Sequence, residues 1–480
     1  MADRILTPYV NGRWLPRRGR TAEPVTAPFS GRRLAWIVPG DAADLALAIA
    51  GAERAQRTLA ALPRHRRAAI LETVSRRLAA ERREIARLMA DDAGKPVTLA
   101  LGEVDRAIVV FRLAAEEARR FGVDAAPADT EARGEGMTAR VERFPIGVVA
   151  AISPFNFPLN LAAHKVAPAI AAGNAVVLKP PPQAPLTAFR LAELLTEAGL
   201  PAGALQVLHL PIPLAERLAT DPAIAMLSFT GSARVGWHLK AIAARQRVLL
   251  ELGGNAAVLV HEDTADLPAV AERIAWGAFA YAGQVCIKAQ RLLVHAPIQR
   301  RLTRLVVAAT RRLRTGDPRR PETVVGPMID AAAIARVQSW IAEAEAGGAR
   351  APVRGRRRGL LLGPTILTGV TRRMKVWSEE IFGPVLTVSP YRSFAQGIRL
   401  ANDSQYGLQA AVYTRDAGRI RQAFEELRVG GVIVNDLPIL RLDHLPYGGV
   451  KASGFGREGV REAMLAMTEP RLLLARGLVG

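Results

Sequence analysis

Cysteine is almost absent from this sequence, since Cys286 is the single one among 480 residues. One cysteine excludes an intramolecular disulfide framework and a thiolate-rich zinc site, and we expect no bound metal. The residue is then a small core hydrophobe, a spectator or a nucleophile, and composition alone favours the core hydrophobe.

The sequence also lacks an apolar segment of the kind that directs secretion or crosses a membrane. Residues 1–10 carry charge early and contain no long apolar run, so we expect no targeting segment. The uncharged stretch 145–163 contains Pro154 and Pro158, which fit a buried strand, a turn and a helix start better than a spanning helix. We therefore predict a cytoplasmic protein that does not bind membranes.

Lysine is scarce, and arginine supplies nearly all of the positive excess behind a formal net charge of +21. Much of this arginine follows amphipathic helical patterns at 64–87 and 300–314, which are typical of solvated helix faces. The densest cluster, 354–358, lies in a glycine-flanked loop without interleaved aromatics. We expect weak nonspecific attraction to polyanions but no specific nucleic-acid surface.

The order of apolar and polar residues predicts an α/β fold. The chain is long enough for about three domain-sized units. After the helical patterns of residues 41–119, short apolar runs alternate with helical segments such as 159–172 and 185–198. The runs are 146–152, 175–178, 205–208, 226–229, 248–250 and 256–260. Such alternation predicts a parallel, doubly wound sheet, and it restarts after residue 266 as a second α/β unit.

A glycine-containing turn follows one predicted strand. Residues 230–236, TGSARVG, precede a predicted helix. Glycine at such a turn lets the backbone approach a pyrophosphate, and a helix N-terminus favours negative charge. The spacing departs from the G-x-G-x-x-G fingerprint, so a plain tight turn explains this segment equally well on its own.

Three side chains are candidates for catalysis. Glu251 begins the segment ELGGN at a strand end, and Cys286 lies in the segment YAGQVCI. A thiolate is a nucleophile whose pKa a helix N-terminus or a cationic neighbour lowers. Asn156 lies in the proline-bracketed loop SPFNFP, where its amide can donate to an oxyanion. Taken singly, the glutamate is a cap or surface charge and the asparagine a turn residue.

Six segments, in this order, resemble the aldehyde dehydrogenase superfamily. Its patterns P-W-N-F-P, V-x-K-P, F-T-G-S-x-x-x-G, E-L-G-G, G-Q-x-C and E-E-x-F-G-P correspond to residues 154–158, 177–180, 229–236, 251–254, 283–286 and 379–384. The likeness extends from residues 9–12 to the terminal strand. Six ordered matches make coincidence a poor explanation.

The resemblance implies NAD(P)-dependent oxidation of an aldehyde to a carboxylic acid through a thiohemiacetal and a thioester on Cys286. Asn156 and the backbone N–H of Cys286 would hold the oxyanion, and Glu251 would activate the hydrolytic water. Relatives that acylate coenzyme A often lack this glutamate, so hydrolysis is favoured while acyl transfer stays open. The alternative function is a catalytically inactive cofactor- or polyanion-binding protein on the same fold.

The resemblance also implies the cofactor site. Lys179, which we also place among the catalytic residues, and Glu380 match positions that hold ribose hydroxyls. Pro182 stands where NAD-preferring relatives often carry a glutamate, so either NAD or NADP is expected. The predicted cofactor-binding residues are Ser153, Phe155, Lys179, Pro182, Phe229, Gly231, Ser232, Gly236, Leu252, Glu380 and Phe382.

Substrate residues follow from the same resemblance. They are Phe157, His164, Val285, Ile287, Arg441, His444 and Tyr447. His164 and Arg441 replace residues that are aromatic in relatives acting on apolar aldehydes. This suggests a short hydroxylated or anionic aldehyde such as lactaldehyde, glycolaldehyde or a semialdehyde. Residues 435–449 are similar to the lactaldehyde dehydrogenase-like branch. Equally, Arg441 could pair with Asp443 or Asp436 and merely shape the loop.

The predicted architecture has three parts. A doubly wound, Rossmann-like NAD(P)-binding domain comprises residues 1–122 and 145–252, and an α/β catalytic domain comprises residues 253–436. Residues 123–144 and 437–480 form a small β extension for oligomerisation and a C-terminal segment. From the family we expect a homodimer or homotetramer.

Overall fold

The computed structural model describes residues 4–476, without the side chains of residues 124–126. Residues 1–3 and 477–480, which belong to the predicted first and last segments, lie outside the described residues. Among the helices of residues 4–476, none is long and apolar enough to cross a membrane. Two large mixed sheets and one small antiparallel sheet organise the chain.

The first sheet has eight strands. In spatial order they are Gly454–Phe455, Arg247–Glu251, Ile224–Thr230, Val148–Ile152, Ala175–Lys179, Leu205–Val207, Tyr9–Val10 and Arg13–Trp14. The five central ones are parallel, and the predicted apolar runs supply all of them. Chain order reverses between Val148–Ile152 and Ile224–Thr230, which is the doubly wound arrangement that we predicted.

Alternating residues of the strand Val148–Ile152 pack into two different cores. Val149 and Ala151 face one cluster of buried residues, whereas Val148, Ala150 and Ile152 face another. Helices Arg64–Ala80, Arg82–Asp92, Val97–Arg120, Asn160–Ala172, Leu186–Glu197 and Val460–Ala466 cover the first face. Helices Ala42–Ala61, Ile212–Thr220 and Ala233–Ile242 cover the second. Burial on both faces explains why these strands are continuous apolar runs.

The second sheet has seven strands. In spatial order they are Arg350–Val353, Thr365–Thr368, Val385–Tyr391, Arg291–His295, Ala257–Val260, Gln409–Tyr413 and Gly431–Val434. All are parallel except Arg350–Val353. The helices of this unit are Leu267–Phe279, Gln299–Arg312, Ala331–Ala346, Lys375–Ser378, Phe394–Asn402 and Ala417–Glu426. The second predicted α/β unit is therefore confirmed.

The small sheet pairs strands from the two separate segments of the predicted β extension. Strand Met137–Pro145 pairs antiparallel with Val123–Ala126 on one side and with Thr468–Arg476 on the other. The remaining strands are short: Ile5–Leu6, Glu23–Thr26, Arg33–Ile37, Arg357–Arg358, Leu361–Leu362, Tyr406–Gly407 and Val450–Lys451. The 3-10 helices are Ala132–Gly134, Ala280–Gly283 and Ala296–Ile298. Because Gly454–Phe455 joins the first sheet, part of the C-terminal segment belongs with that sheet; the domain boundaries stay a prediction.

Candidate active site

A cavity of about 560 Å³ lies beyond the carboxyl edge of the first sheet. Glu251, at the end of a parallel strand, and Thr230, at the end of its neighbour, lie on the cavity wall. A loop of the second unit contributes Cys286, and the C-terminal segment contributes Tyr447. The cavity thus lies where open α/β sheets bind ligands.

The turn that carries Cys286 has an unusual backbone. It follows the kinked segment Ala280–Gly283, in which Tyr281 and Ala282 have non-helical backbones with positive φ values of 55° and 54°. Such values are costly for residues with a Cβ and persist only when packing imposes them. The Tyr281 hydroxyl is buried and donates to the carbonyl oxygen of Ala93 at 2.9 Å. Cys286 therefore lies in a fixed turn, not at a helix N-terminus.

The thiol of Cys286 is protonated at neutral pH in this environment. Burial raises its pKa to about 12, although a hydrogen bond to Tyr447 and the charge of Arg441 act in the opposite direction. The Tyr447 hydroxyl oxygen lies 3.5 Å from Sγ. The sequence allowed for a cationic neighbour, and Arg441 is that neighbour, but burial has the larger effect.

Glu251 is a buried carboxyl group at the end of a central strand. Its side chain is 2% exposed, and neither carboxyl oxygen has a partner among residues 4–476. Burial and the negative charge of Glu458 raise its pKa well above the usual value. The group is therefore available to exchange a proton inside the cavity it shares with Cys286.

The side chain of Asn156 is hydrogen-bonded to the loop that carries Cys286. Its Nδ2 donates to the carbonyl oxygen of Gln284 at 3.0 Å, and one N–H of this amide is left over. The backbone oxygen of Asn156 accepts a hydrogen bond from Nζ of Lys95 at 2.9 Å. Lys95 also forms a 2.5 Å ion pair with Glu103, a carboxylate that accepts the backbone N–H of Leu159. Cys286 and Glu251 therefore share one cavity, and Asn156 is hydrogen-bonded to the loop two residues before Cys286. Lys179, the fourth predicted catalytic residue, ends a strand of the first sheet and is not part of the cavity wall.

The predicted substrate residues divide into two groups. Those on the cavity wall are Phe157, Val285, Ile287, Arg441 and Tyr447. His164 is not part of that wall, because its Nε2 pairs with Asp443 at 2.8 Å inside the protein. His444 is exposed to solvent and is not part of the wall either. The structure therefore places neither histidine against the cavity.

Arg441 lies on the cavity wall and also forms one of the predicted ion pairs. Its Nη2 donates to Glu458 at 3.2 Å, and its Nε lies 3.6 Å from Asp443. Asp436, the other predicted partner, pairs with Arg273 instead. The guanidinium stacks 3.8 Å from the ring centre of Tyr447 on the cavity wall. Arg441 thus shapes the loop and still faces the site.

Comparison with known proteins decides the family. The model of the Aldehyde dehydrogenase family matches residues 14–473 of this chain. The chain belongs to the aldehyde dehydrogenase family. Solved structures of relatives hold NAD or NADP, and this aldehyde dehydrogenase is an NAD(P)-dependent oxidoreductase. The resemblance, the fold class and the enzyme class expected from the sequence are confirmed, and an inactive binding protein is not favoured.

Individual relatives cover nearly the whole enzyme. The 3-sulfolactaldehyde dehydrogenase of Priestia megaterium is 40% identical over 469 residues, which are 97% of each chain. The lactaldehyde dehydrogenase of Methanocaldococcus jannaschii is 34% identical over 471 residues, 97% of this chain and 99% of its own. The structure of aldehyde dehydrogenase 21 from Physcomitrella patens with the reaction product succinate superimposes with a TM-score of 0.96 at 38% identity, covering 99% of each chain.

The edge of the first sheet in this aldehyde dehydrogenase fits a dinucleotide. Ser153 follows one strand and is buried, with no partner for its hydroxyl in the described part of the chain. Lys179 ends the next strand; burial lowers its pKa to about 8, and its Nζ lies 3.3 Å from the carbonyl oxygen of Pro180. A Cβ at Gly236 would lie 2.3 Å from the Leu252 side chain. Free polar groups and a close-packed glycine are what a bound nucleotide requires.

Other predicted cofactor residues surround the same edge. Ser232 caps the helix Ala233–Ile242 by accepting the N–H of Val235. Gly231 donates its N–H to the carbonyl oxygen of Glu251. The rings of Phe155 and Phe382 meet edge to face with centres 5.9 Å apart. Glu380 accepts the N–H of Gly254 at 3.0 Å, Phe229 and Leu252 are buried, and Pro182 is exposed.

Several cavity residues were missed by sequence reasoning. The cavity wall also includes Lys95, Glu103, Arg106, Asn160, Arg273, Trp276 and Leu440. None lies in a segment with a chemical signature of its own. Lys95 and Glu103 are only eight residues apart in the sequence. The hydrogen bond from Lys95 to the backbone of Asn156, however, joins residues that are 61 positions apart. Only the folded chain shows such pairings.

Proposed function

We propose that this enzyme oxidises a short anionic aldehyde to the corresponding acid. The observation that carries the proposal is Arg441, a side chain only 5% exposed on the wall of the cavity that contains Cys286. Its Nε has no hydrogen-bond acceptor among the described residues. Relatives named for sulfolactaldehyde and a relative crystallised with succinate support the same chemistry.

The hydrogen-bond donors around the cavity favour an anion, although the acidic residues Glu103, Glu251 and Asp436 also lie on its wall. Four basic side chains lie on its wall: Lys95, Arg106, Arg273 and Arg441. Each has a carboxylate partner, but a guanidinium offers five N–H donors and one carboxylate occupies at most two. Glu251 adds no negative charge while it is protonated. A sulfonate or carboxylate would therefore meet unsatisfied donors here.

In the proposed mechanism the Cys286 thiol releases its proton to the solvent of the cavity, and the resulting thiolate attacks the carbonyl carbon. The spare N–H of Asn156 and the backbone N–H of Cys286 donate to the oxyanion that forms. Ser153 and Lys179 would help to hold NAD or NADP, which would supply the hydride acceptor for this oxidation. Glu251, once ionised, takes a proton from the water that attacks the thioester, which releases the acid and frees the thiol. Presence of Glu251 favours water over coenzyme A as the acyl acceptor.

We also propose that the predicted domains have separate roles and that the enzyme assembles into an oligomer. Residues 1–122 and 145–252 bind the cofactor, residues 253–436 carry the nucleophile, and the β extension makes a homodimer or homotetramer. Leu472, Leu473 and Leu474 support this assembly, because they are 61%, 60% and 49% exposed on an outer strand of the small sheet. The cytoplasmic location stays a prediction.

The first test compares aldehydes by the absorbance of the reduced nicotinamide. We expect the highest kcat/KM with C3–C4 aldehydes that carry a carboxylate or sulfonate. Uncharged aldehydes of equal length serve as controls. Preference for the uncharged members would contradict the proposed substrate class, and no reduction with any aldehyde would contradict the activity.

Replacing Arg441 tests the anion site directly. Arg441→Met should lower kcat/KM for succinate semialdehyde about tenfold to hundredfold, the loss typical of a charge-assisted hydrogen bond. Because Arg441 also lies near the thiol, the readout is the ratio of kcat/KM for this substrate to that for butanal. Arg312→Met removes an exposed ion pair outside the cavity and is the control. An unchanged ratio would remove Arg441 from substrate recognition.

Cofactor choice gives another prediction. Pro182 is exposed beyond Lys179, where a carboxylate would repel the 2′-phosphate of NADP. Pro182→Glu should therefore raise KM for NADP about tenfold and leave KM for NAD nearly unchanged. Gln183→Glu places the same charge one residue further along the exposed loop and is the matched control. Equal effects of the two variants on KM for NADP would show that Pro182 does not face the adenosine ribose.

A further inference from the structure

Asn160 is a buried amide that the mechanism does not use. It is the first residue of the helix Asn160–Ala172, its exposure is 0%, and it contributes to the wall of the cavity that contains Cys286. Neither Oδ1 nor Nδ2 has a hydrogen-bond partner in residues 4–476. Burying both ends of an amide without partners is unfavourable, and leucine would fill a similar volume without that cost.

The helix start that carries this amide is held firmly. The backbone N–H groups of Leu159 and Asn160 both donate to Oε1 of Glu103, at 2.9 Å and 3.0 Å. The second oxygen of Glu103 is fixed by Lys95 at 2.5 Å. The orientation of the helix start is therefore determined by backbone contacts, and the Asn160 side chain is not needed to cap it.

The position of Asn160 relates it to the anion site. His164 lies four residues further along the helix, so the two side chains are neighbours on one helix face. His164 contacts Asp443, which also binds Arg106 and lies 3.6 Å from Nε of Arg441. Asn160 is therefore one helical turn from the charged cluster of the proposed anion site.

We propose that Asn160 recognises a hydroxyl group on the substrate, so that the enzyme takes a 2-hydroxy aldehyde with an anionic terminus. An amide presents one donor and one acceptor side, and a hydroxyl group is the small substituent that donates and accepts at once. In such a substrate the aldehyde carbon meets Cys286, the neighbouring carbon carries the hydroxyl, and the terminal anion meets Arg441. This inference rests on the proposed oxidation of anionic aldehydes and names the substrate class within it.

The test uses four aldehydes that separate the hydroxyl from the charge. They are 3-sulfolactaldehyde, 3-sulfopropanal, lactaldehyde and propanal. In the parent enzyme kcat/KM should be higher for each hydroxy aldehyde than for its deoxy partner. Asn160→Leu should reduce this hydroxy-to-deoxy ratio about tenfold to hundredfold in both pairs, because one hydrogen-bonding group has been removed. Asn160→Asp keeps an acceptor and should retain more of the ratio than leucine does.

A second measurement separates recognition from a structural role. Because the orphaned amide is unfavourable in the fold, Asn160→Leu should unfold at the same temperature as the parent or higher. A hydroxy-to-deoxy ratio that is the same in Asn160→Leu and the parent would overturn the inference. So would a large loss of stability with equal losses of activity on all four aldehydes. The anion proposal has its own contradicting outcome, which is an equal kcat/KM of the parent enzyme for sulfonated and uncharged aldehydes.

Discussion

Cys286→Ala should abolish aldehyde oxidation while leaving nicotinamide cofactor binding intact. Removal of a covalent nucleophile lowers turnover on the order of 10⁴-fold or more, because substrate binding and oxyanion contacts alone supply only a small part of the rate acceleration. Turnover is followed by reduced-nicotinamide absorbance and cofactor binding by calorimetry. Cys286 is not one of the predicted cofactor-binding residues, so the substitution should leave cofactor binding unchanged. Normal turnover of the variant would contradict the thioester mechanism.

Because Cys286 is the single cysteine, its reactivity can be measured without a contribution from other thiols. Alkylation with iodoacetamide can label one thiol in the unfolded or folded chain, and mass measurement reads it directly. Because burial raises the pKa of Cys286 to about 12, the thiolate fraction of the free enzyme rises about tenfold per pH unit over the neutral range. The labelling rate should rise accordingly with pH. A rate independent of pH above neutrality would mean that the thiol is already ionised.

The fold was predictable because its signal is local. Strands buried on both faces, such as Val148–Ile152, are uninterrupted apolar runs, and their alternation with helices admits few topologies. The carboxyl edge of the resulting sheet then collects the residues that follow each strand, including Ser153, Lys179 and Glu251. Candidate catalytic residues could be named because each of them lies inside a segment with a recognisable pattern.

The environment of those residues was not predictable, because it depends on contacts between distant segments. His164 matched a substrate position, yet Asp443, 279 residues away, holds its ring inside the protein. The thiol of Cys286 was expected near a group that lowers its pKa, and Arg441 is there, but the surrounding burial outweighs it. Asn160 carried no signal at all, since an unpartnered amide can be recognised only when its neighbours are known.

Glu251→Gln should separate the two halves of the reaction. The variant keeps Cys286 and Asn156, so it should still produce one equivalent of reduced cofactor per active site in a rapid burst. Steady turnover should then fall about 100-fold to 10⁴-fold, because the base for thioester hydrolysis is missing. In the parent, hydrolysis should accelerate as the pH rises through the raised pKa of Glu251, since only the ionised carboxyl accepts a proton. Loss of the burst, or steady turnover equal to the parent, would contradict this role.

The same carboxyl should also make the fold sensitive to alkali. In the unfolded chain a glutamate titrates near pH ~4.3, whereas burial and the charge of Glu458 raise the pKa of Glu251 well above that. Between the two values the folded state keeps a proton that the unfolded state has released, so stability falls as the pH rises through this window. Glu251→Gln cannot ionise and avoids the loss. Its Tm should therefore exceed that of the parent by a margin that widens by a few degrees from about pH 5 to about pH 9. Glu458→Gln is the opposite control, because burial is outweighed there by Lys165 and Arg441, which lower the pKa of Glu458 to about 2. That variant loses a stabilising anion and should be less stable than the parent throughout the same range.

The contradicting outcome is a difference in Tm between Glu251→Gln and the parent that stays constant from about pH 5 to about pH 9. A constant difference would show that Glu251 is already ionised in the folded enzyme.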